Sequence, residues 1–168
     1  DRQAHAFPRP AKTIENRFEP EKENMTRPAI ATPIEGTCLC GAVTLRIAPE
    51  SRHLDACHCT MCRKWGGGPF LSLSAGDDPE IEGAEQVIRY ASSDWAERGF
   101  CGACGTHLFY FYKPQGTYAC PAGLFTDAAG FTLTSEIFVD EQPDYYHFTE
   151  DTVRKTGAQV IAEAAKGE

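Results

Sequence analysis

Thr37-Cys38-Leu39-Cys40-Gly41 and, well downstream, Phe100-Cys101-Gly102-Ala103-Cys104-Gly105 are the two stretches whose reading decides the fold. Each carries two cysteines beside glycines that let the chain turn tightly. Thiols so close in sequence bridge one another poorly, but they point readily at one cation, and four of them make a tetrahedral set. Cys38, Cys40, Cys101 and Cys104 are therefore expected to hold a structural zinc that fastens two distant parts of the chain. Gly41, Gly102 and Gly105 are expected to turn amide N–H groups toward the sulfurs. Buried core thiols are the bland alternative.

Between these stretches lies Ala56-Cys57-His58-Cys59-Thr60-Met61-Cys62-Arg63-Lys64-Trp65. Its three thiols can hold a second zinc with the fourth corner open, the arrangement that catalytic zinc uses. Cys57, Cys59 and Cys62 are the candidate catalytic residues, for two zinc ions per chain. A second structural site closed by His58, His107 or Cys120 is the alternative. His58 lies between two ligands, so its side chain should point away from a metal held by them. Cys120, alone in Tyr118-Ala119-Cys120-Pro121, reads as a small buried hydrophobe.

Composition narrows the function classes. A length of 168 residues suggests one domain. Sixteen Lys and Arg against twenty-four Asp and Glu give a net charge of −8. That balance argues against coating nucleic acid or an anionic membrane surface, both of which need basic surface. No apolar run is long enough to span a bilayer, and no secretory leader pattern is visible. Cysteines clustered for metal rather than spaced for disulfides point to the reducing cytoplasm.

Along the chain, residues 1–35 are rich in proline and charge and read as an extended arm, through which a homo-oligomer could form. Residues 36–150 read as the zinc-binding catalytic domain, and 151–168 as a C-terminal helix or tail. In the body, Val43, Leu45 and Ile47 alternate with Thr44 and Arg46, and Leu71, Leu73 and Ala75 alternate with Ser72 and Ser74, the period of half-buried strands. Residues 87–91, 95–100, 107–112, 117–120 and 135–139 are further strand candidates. Turn residues separate them at 66–69, 76–79, 113–116 and 127–130. The fold class expected is mostly β, a sandwich or folded sheet, with a short helix over 158–166.

Three ordered cysteine motifs now stand together: Gly36-Thr37-Cys38-Leu39-Cys40-Gly41-Ala42-Val43, Cys57-His58-Cys59-Thr60-Met61-Cys62-Arg63-Lys64, and Phe100-Cys101-Gly102-Ala103-Cys104-Gly105-Thr106-His107-Leu108. Over residues 36–140 the chain resembles the glutathione-dependent formaldehyde-activating family, which includes centromere protein V. The resemblance implies a zinc-stapled complex β-sheet fold. It implies the same division into a structural site and a catalytic one. It also implies a carbon–sulfur lyase of the S-(hydroxymethyl)glutathione synthase type, with glutathione and an aldehyde such as formaldehyde as partners.

A thiol such as glutathione is an anion, so on this acidic chain it needs local cations. Arg63 and Lys64 adjoin the second motif and Arg98 the third. Trp65 and the turn containing Gly67 are candidates for a pocket wall. The rival function is a non-catalytic zinc-binding scaffold, or a thiol redox or metal sensor that releases zinc on oxidation.

Overall fold

The computed structural model describes residues 33–49, 51–126 and 130–166. The arm over 1–35 lies almost wholly outside the described residues, as does most of the turn at 127–130. The architecture is mostly β. Ile34–Thr37 (β1), Thr44–Ile47 (β2) and Glu80–Glu82 (β5) form a small antiparallel sheet in the order β1-β2-β5. The large sheet holds His53–Cys57 (β3), Phe70–Gly76 (β4), Val87–Ser93 (β6), Ala96–Cys101 (β7), His107–Tyr112 (β8), Thr117–Pro121 (β9), Thr132–Ile137 (β10) and Val153–Lys155 (β11). Its order is β11-β10-β3-β4-β9-β8-β7-β6. All pairs are antiparallel except β10 with β3 and with β11.

The alternating segments became strands for the expected reason. In β2 the apolar residues Leu45 and Ile47 are buried while Arg46 is exposed, and Leu73 and Ala75 of β4 are buried likewise. These faces meet in one core that also takes Val43, Phe109, Cys120, Leu124 and Phe125. Cys120 is fully buried there, and burial alone pushes its thiol up to about 12. Across β7 and β8, Gly99 faces Phe109, whose ring occupies the space a side chain at 99 would need.

The other face of the large sheet carries the polar and aromatic row. Ser74, Ala119, Tyr110, Arg98 and Tyr90 stand opposite one another in turn across β4, β9, β8, β7 and β6. Thr60–Gly66 (α1) lies over this face, because its Trp65 ring stacks on His107 at 4.4 Å. The expected C-terminal helix is Gly157–Ala164 (α2). Thr156 caps it, accepting from Gln159 N–H while the Gln159 side chain accepts from Thr156 N–H. The expected strand starting at Trp95 starts at Ala96; Trp95 lies in the two-residue turn between Ser93 and Ala96. Strands β1, β3, β5 and β11 and the helix α1 were not expected.

Candidate metal centres and active site

The two outer cysteine motifs converge. The turn Cys38–Gly41 closes with Gly41 N–H on Cys38 O at 3.0 Å, and Cys101–Gly105 closes with Gly105 N–H on Cys101 O at 2.8 Å. Gly41 and Gly105 both have φ of +75°, where a side chain is strained. Their amides thus serve the turns, not the sulfurs. Other amides face the thiols: Val43 N–H lies 3.2 Å from Cys38 Sγ, and Ala42 N–H favours the Cys40 thiolate. Gly102 N–H instead donates to Gln86 O at 2.7 Å.

The sulfurs of Cys38, Cys40, Cys101 and Cys104 all lie within 4.8 Å of one another. Cys38 to Cys40 is 3.5 Å and Cys40 to Cys101 is 3.8 Å. A tetrahedral zinc with bonds of about 2.3 Å spaces its sulfurs by about 3.8 Å, so the donor set fits. Thiol electrostatics say the same. Hydrogen bonds from Thr106 hold Cys104 down at about 5, whereas Cys40 is pushed up to about 12, where the nearby Cys104 and Cys38 outweigh the favourable Ala42 N–H. Four thiols this close cannot all ionise without a cation among them.

Cys57, Cys59 and Cys62 form the second group, again within 4.8 Å of one another. Cys57 ends β3, and Cys59 caps α1 by accepting from Cys62 N–H at 3.4 Å. Cys59 is held down at about 2 by hydrogen bonds from Cys57 and Cys62, and Cys57 is pushed up chiefly by Cys59. Among the described residues neither His58, His107 nor Cys120 joins either group, which leaves the second with three protein ligands.

His58 points away, as expected, and strand parity is the reason. Cys57 faces the aromatic row, so His58 faces the opposite side with Ala56, which pairs with Glu136. His58 and Glu136 are both fully buried. Burial lowers the His58 pKa and keeps the ring neutral. Glu136 stays ionised, since Thr152, His58 and Arg154 outweigh the burial that opposes its charge. Nε2–H of His58 therefore donates to Glu136 at 2.9 Å, and Nδ1 accepts from the Tyr146 hydroxyl at 2.7 Å. Glu136 also accepts from Arg154 at 2.6 Å, and Glu141 accepts from Thr60 N–H at 2.6 Å. This network fixes the backbone that presents the three thiols, and none of its acidic or tyrosine members carries a sequence signal.

The expected substrate-side residues divide. Arg98 is 3% exposed and sits in the site: its guanidinium donates to Cys62 Sγ at 3.5 Å and lies 5.2 Å from the Tyr110 ring and 5.8 Å from Trp65. No carboxylate pairs with it among the described residues, so the thiols are its counter-charge. Trp65 is half-buried, stacked on His107 and edge-on to Phe100 at 5.6 Å. Arg63 turns back to the loop, donating to His58 O at 2.9 Å. Lys64 is exposed on α1. Gly67 caps α1 at φ +79°, its N–H on Arg63 O at 2.8 Å. No helix among the described residues is long and apolar enough to cross a membrane.

Fold and site together define a mostly β protein with two thiol groups able to hold metal, one closed by four cysteines and one with three. The chain belongs to the glutathione-dependent formaldehyde-activating enzyme family, whose model matches residues 33–141. It is 37% identical to an uncharacterized lyase of Schizosaccharomyces pombe over 79% of this chain and 97% of that one. It is 32% identical to a Halomonas elongata protein named as a glutathione-dependent formaldehyde-activating enzyme, over 67% of this chain and 78% of the other. A crystal structure of a Rhodobacter sphaeroides protein shares the fold, with a TM-score of 0.52 at 21% identity over 73% of this chain and all of that one. Family membership supports an enzyme of the formaldehyde-activating type.

Proposed function

We propose that the protein is a zinc-dependent carbon–sulfur lyase acting on a thiol–aldehyde adduct, with S-(hydroxymethyl)glutathione as the first candidate. The observation that carries this is the three-cysteine group of Cys57, Cys59 and Cys62, incomplete as a tetrahedron and backed by the buried Arg98. Zinc bound there supplies a position for one further thiol and lowers that thiol's pKa. In the synthetic direction the thiol sulfur bonds to the aldehyde carbon, the carbonyl π pair passes to oxygen, and oxygen takes up the proton the thiol gave up. Cleavage reverses each change.

The chain's own residues shape that chemistry. Arg98 offsets the negative charge of the thiolates and attracts an anionic substrate. Trp65, stacked on His107, walls the site and shields it from water. His58, held by Glu136 and Tyr146, positions the ligand loop from behind. Cys38, Cys40, Cys101 and Cys104 are the structural site. The reaction is already quick in buffer, so NMR exchange spectroscopy at equilibrium is the suitable assay. Zinc-loaded protein should speed interconversion of glutathione plus formaldehyde with the adduct, and Cys59→Ser should abolish the gain. A rate equal to buffer for every thiol and aldehyde tried would rule out the lyase for those substrates.

A further inference from the structure

The polar and aromatic row on the large sheet holds a hydroxyl that the fold does not engage. Tyr110 of β8 stands opposite Arg98 of β7 on one side and Ala119 of β9 on the other. Arg98 ties it to the three-cysteine group. The guanidinium donates to Cys62 Sγ at 3.5 Å and lies 5.2 Å from the centre of the Tyr110 ring. On the far side Ala119 is too small to cover the ring, and an open cavity begins there. A buried cation thus fixes the half-buried ring beside the thiols, while open space adjoins it.

Comparable donors are already committed. The Tyr146 hydroxyl donates to His58, and the Tyr118 hydroxyl accepts from Arg89. Arg63 is held by His58 O, and Arg98 by Cys62 Sγ. The Tyr110 hydroxyl makes no hydrogen bond among the described residues. Burial pushes it up to about 12; the Arg98 charge opposes this, and the charges of Cys62 and Cys57 add to it. Tyr110 therefore keeps its proton at neutral pH and is a donor within the field of two of the three thiols. Tyr112 lies two residues further along the same face, opposite Ala96 rather than Arg98.

Addition of a thiol to an aldehyde drives negative charge onto the carbonyl oxygen, and a fixed donor aimed at that oxygen stabilises the transition state. Ionised cysteines cannot serve, since they only accept. Resting on the lyase reading above, we propose that Tyr110 is a catalytic residue whose hydroxyl donates a hydrogen bond to the aldehyde oxygen as it becomes the hydroxyl of the adduct. As the sulfur–carbon bond forms, the carbonyl π pair moves to oxygen, which Tyr110 holds. Oxygen then takes a proton from water, and water recovers the proton the thiol gave up. In cleavage the same bond stabilises the alkoxide from which the sulfur departs. Tyr110 keeps its own proton throughout.

Two measurements on the zinc-loaded full chain test this. Exchange spectroscopy with glutathione and formaldehyde should show the gain over buffer falling about a hundredfold in Tyr110→Phe, the usual loss for one such donor, and unchanged in Tyr112→Phe. Calorimetry compares S-(2-hydroxyethyl)glutathione, a stable homologue of the adduct, with S-propylglutathione, which has methyl in place of the hydroxyl. Wild type should bind the hydroxyl ligand about fivefold more tightly, the scale of one net hydrogen bond. Tyr110→Phe should bind both alike and hold S-propylglutathione as wild type does, an outcome that a merely structural role for the ring would not give. Equal affinities in wild type, or an undiminished hydroxyl preference in Tyr110→Phe, overturn the proposal. Acceleration untouched by Tyr110→Phe removes Tyr110 and keeps the lyase; a hydroxyl preference that depends on Tyr110 without any acceleration removes the lyase and keeps Tyr110 as the oxygen's donor.

Discussion

Cys101→Ser should destabilise the protein about twice as much as Cys59→Ser, although each removes one thiol. Cys101 is fully buried and joins the end of β7 to the turn carrying Cys38 and Cys40, a separation of 61 residues. A metal bridging those segments removes loop entropy from the unfolded chain much as a disulfide does. By that scaling, a loop of about 60 residues is worth ~4 kcal/mol and one of about six residues ~2 kcal/mol. The Cys59 group spans only Cys57 to Cys62. Serine at 59 also keeps the α1 cap that the Cys59 sulfur now provides to Cys62 N–H. For a domain of this size the melting temperature should fall on the order of 12 °C for Cys101→Ser and on the order of 6 °C or less for Cys59→Ser. Circular-dichroism melts, run beside zinc analysis of each variant, give the answer. In excess chelator, Cys101→Ser and wild type should melt together. Equal losses for the two variants in zinc would refute the division into a structural and an open site.

Three further outcomes are expected. Glu136→Gln removes the carboxylate shared by His58, Thr152 and Arg154; urea unfolding should show a loss of about 2 kcal/mol, and an unchanged midpoint would contradict the network's role. Arg98→Met keeps bulk but removes the cation on Cys62; competition with a chelator should show the three-cysteine group holding its zinc about tenfold more weakly, with the four-cysteine group unaffected and always the last to release its metal. Gly99→Ala places a methyl 2.3 Å from the Phe109 ring; thermal melts should show a cost of about 2 kcal/mol, and a neutral result would mean the ring moves freely.

The two cysteine groups were legible because thiols able to share one cation lie close together in sequence. Leu45, Ile47, Leu73 and Ala75 were legible because one buried face of a strand imposes alternation. What stayed hidden was set by long-range pairing. Strands β3 and β11 owe their places to β10, which pairs with both in parallel, and a parallel partner leaves no local turn signal. The His58–Glu136 and His58–Tyr146 bonds span 78 and 88 residues. Arg98 was one of three candidate substrate cations, with nothing in the sequence to set it apart from Arg63 and Lys64. Its parity with Ala96 and Phe100, on a strand flanked on both sides, is what buries it against Cys62. Asp55 carried no signal and Ser72 read only as a polar residue of an alternating strand; that they stand opposite one another appears only once β3 and β4 pair.

The central claim is that Cys57, Cys59 and Cys62 leave room for a substrate thiol. Cobalt(II) in place of zinc reports this directly, because its sulfur-to-metal absorption grows with each thiolate bound. Titrating glutathione into the cobalt protein should raise that absorption and saturate. S-methylglutathione should leave it unchanged, and Cys59→Ser should abolish the rise. A spectrum of the fully loaded wild type that does not change at high glutathione would contradict the account.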